Sequence, residues 1–252
     1  MGGHKLAIND AVFARDENVG IAYGMGMTAE KVAEQWQVSR EAQDAFAVES
    51  HRKALAGIAS GEFAEEIAPY EIASRTVDLA THAYRDERRT VSDDEGPRPG
   101  TTAEVLAKLP AVFAAKGSVT AGNSSQTSDG AGAVILASEA AIQRFGLTPL
   151  ARFVGFAVAG VPPEVMGIGP IEAIPKVLRQ TGIRQADLDW IELNEAFAAQ
   201  SLAVIRELDL DGTRVNPLGG AIALGHPLGA TGAVRTATLV HGLRRRRQRY
   251  GM

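Results

Sequence analysis

Cysteine does not occur anywhere in this chain of 252 residues. That absence excludes disulfides, thiolate metal sites and any cysteine nucleophile supplied by these residues themselves. No apolar run approaches the ~18 residues that a membrane-spanning helix needs. The first twenty residues lack the charged, apolar and small-residue succession of a signal peptide, so no membrane partner is expected and a cytoplasmic location is. The net charge of −4 is spread over 26 basic and 30 acidic residues, and no field of one sign points to nucleic acid. The RRRRQR run from Arg244 to Arg249 reads as a solvated helix end whose cations complement the helix dipole. His4, His51, His82 and His241 have no metal-ligand spacing, so no metal is expected and these four read as surface or capping residues. The glycines of GMGMTAE and MGIGP do not form the dinucleotide fingerprint. Ser125 lacks a nucleophile elbow and reads as a hydrogen-bonding residue.

What is present is a globular composition, 45% hydrophobic, long enough for one large α/β domain or two smaller ones. Thr28 is placed to cap a helix carrying Val32, Ala33 and Trp36, and Ser39 to cap a second running to about Ser60. The pair mimics a helix-turn-helix but has no basic surface to go with it. Residues 61–120 are mixed and polar, with a loop at Asp93–Thr102 and a short amphipathic helix at Ala103–Phe113. Ala131–Ser138 and Arg152–Ala159 read as strands, and Pro170 suits the first turn of a helix. Leu188–Leu193 and Thr213–Asn216 are further strand candidates. Each precedes a helix, Glu195–Leu208 and Thr231–Arg247. From residue 151 onward this alternation implies parallel pairing with right-handed crossovers.

The most informative stretch is NPLGGAIALGHPLGATGA, Asn216–Ala233, which places His226 in a glycine-rich turn opening a helix. Ligands of open α/β sheets collect at the carboxyl ends of strands, and Asn194 ends one expected strand while the histidine turn follows another. The two side chains can therefore converge across 32 positions of sequence, as oxyanion donors or as a base beside a nucleophile. A histidine before a proline is equally at home as a satisfied cap. Arg98 stays open between a phosphate ligand and a solvated arginine.

NEAFAAQ at Asn194–Gln200 and GGAIALGHPLGATGA at Gly219–Ala233 closely resemble, as a pair, the signatures of the thiolase family. GMGMTAEKVAEQW, SREAQDAFAVESH, DEGPRPGTT, GSVTAGNSSQTSDGAGAV and MGIGPIEAI extend the similarity along nearly the whole chain. The resemblance implies acyl exchange between coenzyme A and a cysteine, making or cleaving a carbon–carbon bond beside a thioester. It also implies an α/β fold of layered α/β/α/β/α architecture, built from two βαβαβαββ halves with a loop domain in the first. By the match, His226 activates the nucleophilic thiol and donates to a thioester oxyanion, with Gly225 in the same turn. Asn194 holds the water that completes the oxyanion hole. Ser125 falls on the pantetheine-binding serine, Met166 on the pocket methionine and, more loosely, Arg98 on the loop arginine near the nucleotide end.

Two departures accompany the match. Both family cysteines are absent, and the chain is expected to lack the first strands of one half and the last two of the other. Residues 1–120 would be loop domain and remnant of the N-terminal half, 121–148 its last strand and helix, and 149–252 an incomplete C-terminal half. Such a chain is expected to be inactive alone, and poorly stable or strongly associating. Coenzyme A and acyl-CoA are the expected substrates, with no covalently bound cofactor, and a homodimer or tetramer is the expected assembly. The alternatives are a non-catalytic coenzyme A binding subunit and one half of a split enzyme. Gly24, where some biosynthetic thiolases carry histidine, tilts the substrate toward longer 3-ketoacyl chains.

Overall fold

A computed structural model describes residues 10–12 and 16–252; His4 lies outside them. The first α-helix, α1, spans Met25–Gln35 and starts three residues before the expected cap. Gly24 is its N-cap, and Thr28 sits inside the first turn, donating its hydroxyl back to the Met25 carbonyl at 2.7 Å. In α2, Arg40–Ala59, the expected cap is in place: Ser39 Oγ accepts the Ala42 N–H at 3.2 Å. Its buried residues Gln43, Ala47, Ser50, His51 and Ala54 recur at helical spacing and form one stripe.

The polar stretch that follows holds an antiparallel hairpin that the sequence pattern does not announce, β1 (Tyr70–Val77) and β2 (Tyr84–Val91). Both faces are exposed over almost the whole hairpin, so there is no alternation to detect. Its turn is fixed by Asp78, whose carboxylate accepts the Ala80 and Thr81 N–H groups at 2.8 and 3.2 Å. Next comes α3, Ala103–Leu106, capped by Thr102 but far shorter than the expected helix to Phe113.

The expected strands at Ala131–Ser138 and Arg152–Ala159 are not strands, and they flank α4, Glu139–Phe145. A strand exists only as half of a ladder. Among the described residues the main chain of 127–137 and of 148–161 makes no hydrogen bond to other main chain. The apolar side chains here face outward: Ile135 is 89% exposed and Phe153 73%.

The C-terminal part is better knit. Helix α5, Gly169–Thr181, carries Pro170 in its first turn as expected. The expected strands at 188–193 and 213–216 survive as a parallel bridge, Ile191 to Val215, and the chain end adds a second, Trp190 to Gly251. The bonds are Ile191 N–H to Arg214 O at 2.9 Å, Asn216 N–H to Ile191 O at 2.8 Å and Met252 N–H to Trp190 O at 3.0 Å. Against this lie α5 and α6, Ala198–Glu207, with Ile174, Leu188, Ile191, Leu193, Val204, Leu210 and Val215 as the shared core. Each such side chain contributes about 1.5–3 kcal/mol by leaving water. Helix α6 starts at Ala198, three residues later than expected, because Glu195 and Phe197 are held in other bonds. A short α7, Ala221–Leu224, leads into α8, Thr231–Arg245. The arginine run is not wholly solvated: Arg245 pairs with Glu62 and Arg246 lies 4.6 Å over the Trp190 ring.

Candidate functional site

The site grows out of one buried carboxylate. Glu195, 2% exposed, accepts hydrogen bonds from Ser50 Oγ of α2 at 2.7 Å, from Asn216 Nδ2 at 2.8 Å and from Ile222 N–H at 3.2 Å. Ser50 Oγ also accepts the Gly220 N–H at 3.0 Å. A buried charge is tolerable only when its lone pairs are met in this way. The result ties α2, the chain after Leu193 and the start of α7 to one point. Gly220 has to be glycine here because a Cβ would overlap the Glu195 carboxylate.

With that anchor set, Asn194 and the turn after α7 face each other. Asn194 Nδ2 lies 3.3 Å from His226 Nε2, and His226 Nδ1 lies 2.8 Å from Thr231 Oγ1. Asn194 Oδ1 is buried and makes no hydrogen bond. The turn needs glycine: Gly225 has φ +92°, and a side chain there would also run into Ser128. The His226 N–H donates to Ser128 Oγ at 3.0 Å. Burial, and secondarily the positive charge of Arg235, hold the His226 pKa below its ordinary value, so the imidazole is neutral at pH 7 and free to take a proton. Beside it opens a depression of about 340 Å³ lined by Ser128–Gly132 and Pro227–Ala230.

The other expected residues divide. Ser125 is half-buried, its N–H donating to Ala196 O at 2.9 Å. Its neighbour Gln126 donates to Gly96 O of the GPRPG loop at 2.9 Å and to Ala223 O of α7 at 2.9 Å. Arg98 is exposed, and its N–H donates to His51 Nδ1 at 3.1 Å. His51 is therefore not a surface residue: it is 6% exposed and fixes the GPRPG loop, its pKa lowered first by burial and then by Arg98. Met166, 44% exposed, sits on a 3-10 turn whose Val165 and Ile168 pack with Val32 of α1 and Ala203 of α6. Sequence reasoning missed Glu195, Thr231 and Gln126; for His51 the signal was its place in the α2 stripe.

Residues 4–140 match the thiolase N-terminal domain and residues 147–252 the thiolase C-terminal domain. The chain belongs to the thiolase family. It is 52% identical over 228 residues to the 3-ketoacyl-CoA thiolase of Bacillus subtilis (strain 168), covering 90% of this chain and 58% of that one. Among solved structures it is similar to the Bacillus anthracis acetyl-CoA acetyltransferase, with a TM-score of 0.84, 47% identity and coverage of 90% of this chain and 55% of that one. It is equally similar to human mitochondrial 3-ketoacyl-CoA thiolase in complex with CoA, with a TM-score of 0.83, 45% identity and coverage of 99% and 60%. The chain thus has the thiolase fold and spans a little under two thirds of the length of these relatives. Among the described residues no helix is long and apolar enough to cross a membrane.

Proposed function

We propose that this chain carries the proton-transfer and oxyanion groups of thiolase-type acyl transfer between acyl-CoA molecules, by thiolytic cleavage of a 3-ketoacyl-CoA or by Claisen condensation of acetyl-CoA. The observation that carries the reading is the Asn194–His226 pair at 3.3 Å, with a neutral imidazole. In the thiolytic direction His226 removes a proton from a thiol. The thiolate attacks the 3-keto carbonyl, and the C2–C3 bond breaks with its electron pair passing into the enolate of acetyl-CoA. The Nε2–H formed on His226, with Asn194, stabilises the charge on that enolate's thioester oxygen until C2 is protonated, the acyl group staying on the thiol for transfer to coenzyme A. The thiol that performs this attack comes from outside these 252 residues, since they hold no cysteine and a serine hydroxyl is a poor substitute at pH 7. Ser125 would meet the pantetheine arm, Met166 the acyl pocket and Arg98 the nucleotide end. The bound CoA named for the human relative supports coenzyme A as the ligand, and the reading calls for no covalent cofactor. A homodimer or tetramer, a cytoplasmic location and the division at 1–120, 121–148 and 149–252 belong to the same reading.

The absence of cysteine also favours a second reading, a non-catalytic coenzyme A binding subunit. Thiolysis of acetoacetyl-CoA separates the two. The purified chain alone should be inactive, and activity should appear when the parts of the B. subtilis relative outside the matched stretch are added. Turnover by the chain alone would overturn the requirement for an external thiol. Coenzyme A binding by calorimetry without turnover in any combination would favour the second reading.

A further inference from the structure

The geometry points to Thr231 as the positioning residue of this site: its hydroxyl fixes His226 in the tautomer with the proton on Nδ1, leaving the Nε2 lone pair turned toward Asn194 and the substrate side. Thr231 Oγ1 carries one hydrogen and has two close partners, the Pro227 carbonyl at 2.9 Å and His226 Nδ1 at 2.8 Å. A carbonyl only accepts, so the hydrogen serves Pro227, four residues back in the turn before α8. The remaining lone pairs of Oγ1 face Nδ1, which must then be the N–H of the ring. A neutral imidazole has one such proton. Nε2 is therefore bare, and it faces Asn194 Nδ2 at 3.3 Å, which only donates. All three contacts are satisfied by this arrangement.

The competing arrangement turns the Thr231 hydrogen toward Nδ1, puts the ring proton on Nε2 and flips the Asn194 amide so that its oxygen accepts. It leaves Oγ1 and the Pro227 oxygen 2.9 Å apart with no hydrogen between them, two lone-pair-bearing atoms in contact. A hydroxyl partner also differs from the carboxylate that often holds a histidine in this tautomer. It orients the ring without adding a negative charge, so it does not raise the basicity that burial and Arg235 lower.

The consequence for catalysis rests on the acyl-transfer reading above, whereas the tautomer does not, and one experiment reads it without any turnover. In the full chain labelled with ¹⁵N-histidine, the His226 signals are assigned by their loss in His226→Gln. At neutral pH the wild type should show a pyrrole-type Nδ1 and a pyridine-type Nε2. Thr231→Val, which keeps the shape and removes the hydroxyl, should convert most of the population to the Nε2–H form that free imidazole side chains prefer. Thr231→Ser should restore Nδ1–H, and unchanged fluorescence of the buried Trp190 shows that each variant is folded. A wild-type Nε2–H signal, or a valine variant with the wild-type tautomer populations, would overturn the assignment.

Discussion

Glu195 and Gly220 give a quantitative test of how the site is anchored. Removing the carboxylate in Glu195→Ala strips three donors of their acceptor. Asn216 Nδ2 keeps only one of its two hydrogens engaged, by Leu193 O at 2.7 Å, so the Ser50 hydroxyl, the Ile222 N–H and one Asn216 N–H are left unmet. A buried donor left unmet costs about 1–3 kcal/mol, and the variant should lose about 3–9 kcal/mol in all. Gly220→Ala should cost a similar amount by a different route. The backbone at Gly220, φ −130° and ψ −162°, is open to any residue, but the new methyl takes the place of the carboxylate. Combined, the two substitutions should cost less than their separate effects imply, because the methyl then enters space that Glu195 has vacated. The coupling should reach about 2 kcal/mol, within the range of contacting pairs. Urea unfolding followed by Trp190 fluorescence measures all four corners of the cycle. Penalties that add to within about 0.5 kcal/mol would refute the steric account of Gly220 and with it the role given to Glu195.

Two further outcomes are expected. Glu66 accepts from Thr238 Oγ1 at 2.8 Å through one oxygen while the other is buried without a partner, and burial pushes its pKa up to about 7 from an ordinary 4.5. Its folded form therefore binds the proton more tightly than the unfolded chain, so this stabilisation is complete below pH 4.5 and is lost as pH rises through about 7. Glu66→Gln should accordingly gain on the wild type between pH 5 and pH 8 in urea titrations, and a difference independent of pH would contradict this. Separately, the main chain of 127–137 and 148–161, which has no main-chain partner among the described residues, and its exposed apolar side chains should make the chain self-associate in a concentration-dependent way. Light scattering should show the mass falling on Ile135→Lys with Phe153→Lys, whereas a cooperative, monomeric wild type would refute the expectation.

The parts of the fold written in local chemistry could be read from the residues alone. Ser39 caps α2 through its own hydroxyl, Pro170 fits the first turn of α5, and Asn194 and His226 meet because each follows a chain segment of the same parallel pairing. What failed depended on partners. Val134–Leu136 and Phe153–Phe156 have strand composition, but composition supplies only one side of a ladder. The hairpin of β1 and β2 hides for the opposite reason: solvated on both faces, it needs no hydrophobic period to form. Its strands are held by main-chain pairing and by charge pairs such as Arg75 with Asp86 at 2.6 Å. His51 and Glu195 look like surface residues by type, and only tertiary packing, with Arg98 N–H and Ser50 as partners, makes them interior. Thr231 was invisible for the same cause. A threonine five residues after a histidine has no meaning until the turn brings Oγ1 to Nδ1.

The claim at the centre of this account is that His226, paired with Asn194, is the base of an acyl-transfer site whose thiol arrives from elsewhere. Acetoacetyl-CoA thiolysis with the complementing parts of the B. subtilis relative, comparing wild type with His226→Ala at equal coenzyme A affinity, tests it most directly. The account predicts activity for the wild type only when the thiol-bearing parts are present, and a fall of at least about 100-fold in kcat for the alanine variant. Full activity of the variant, or turnover by this cysteine-free chain alone, would contradict it.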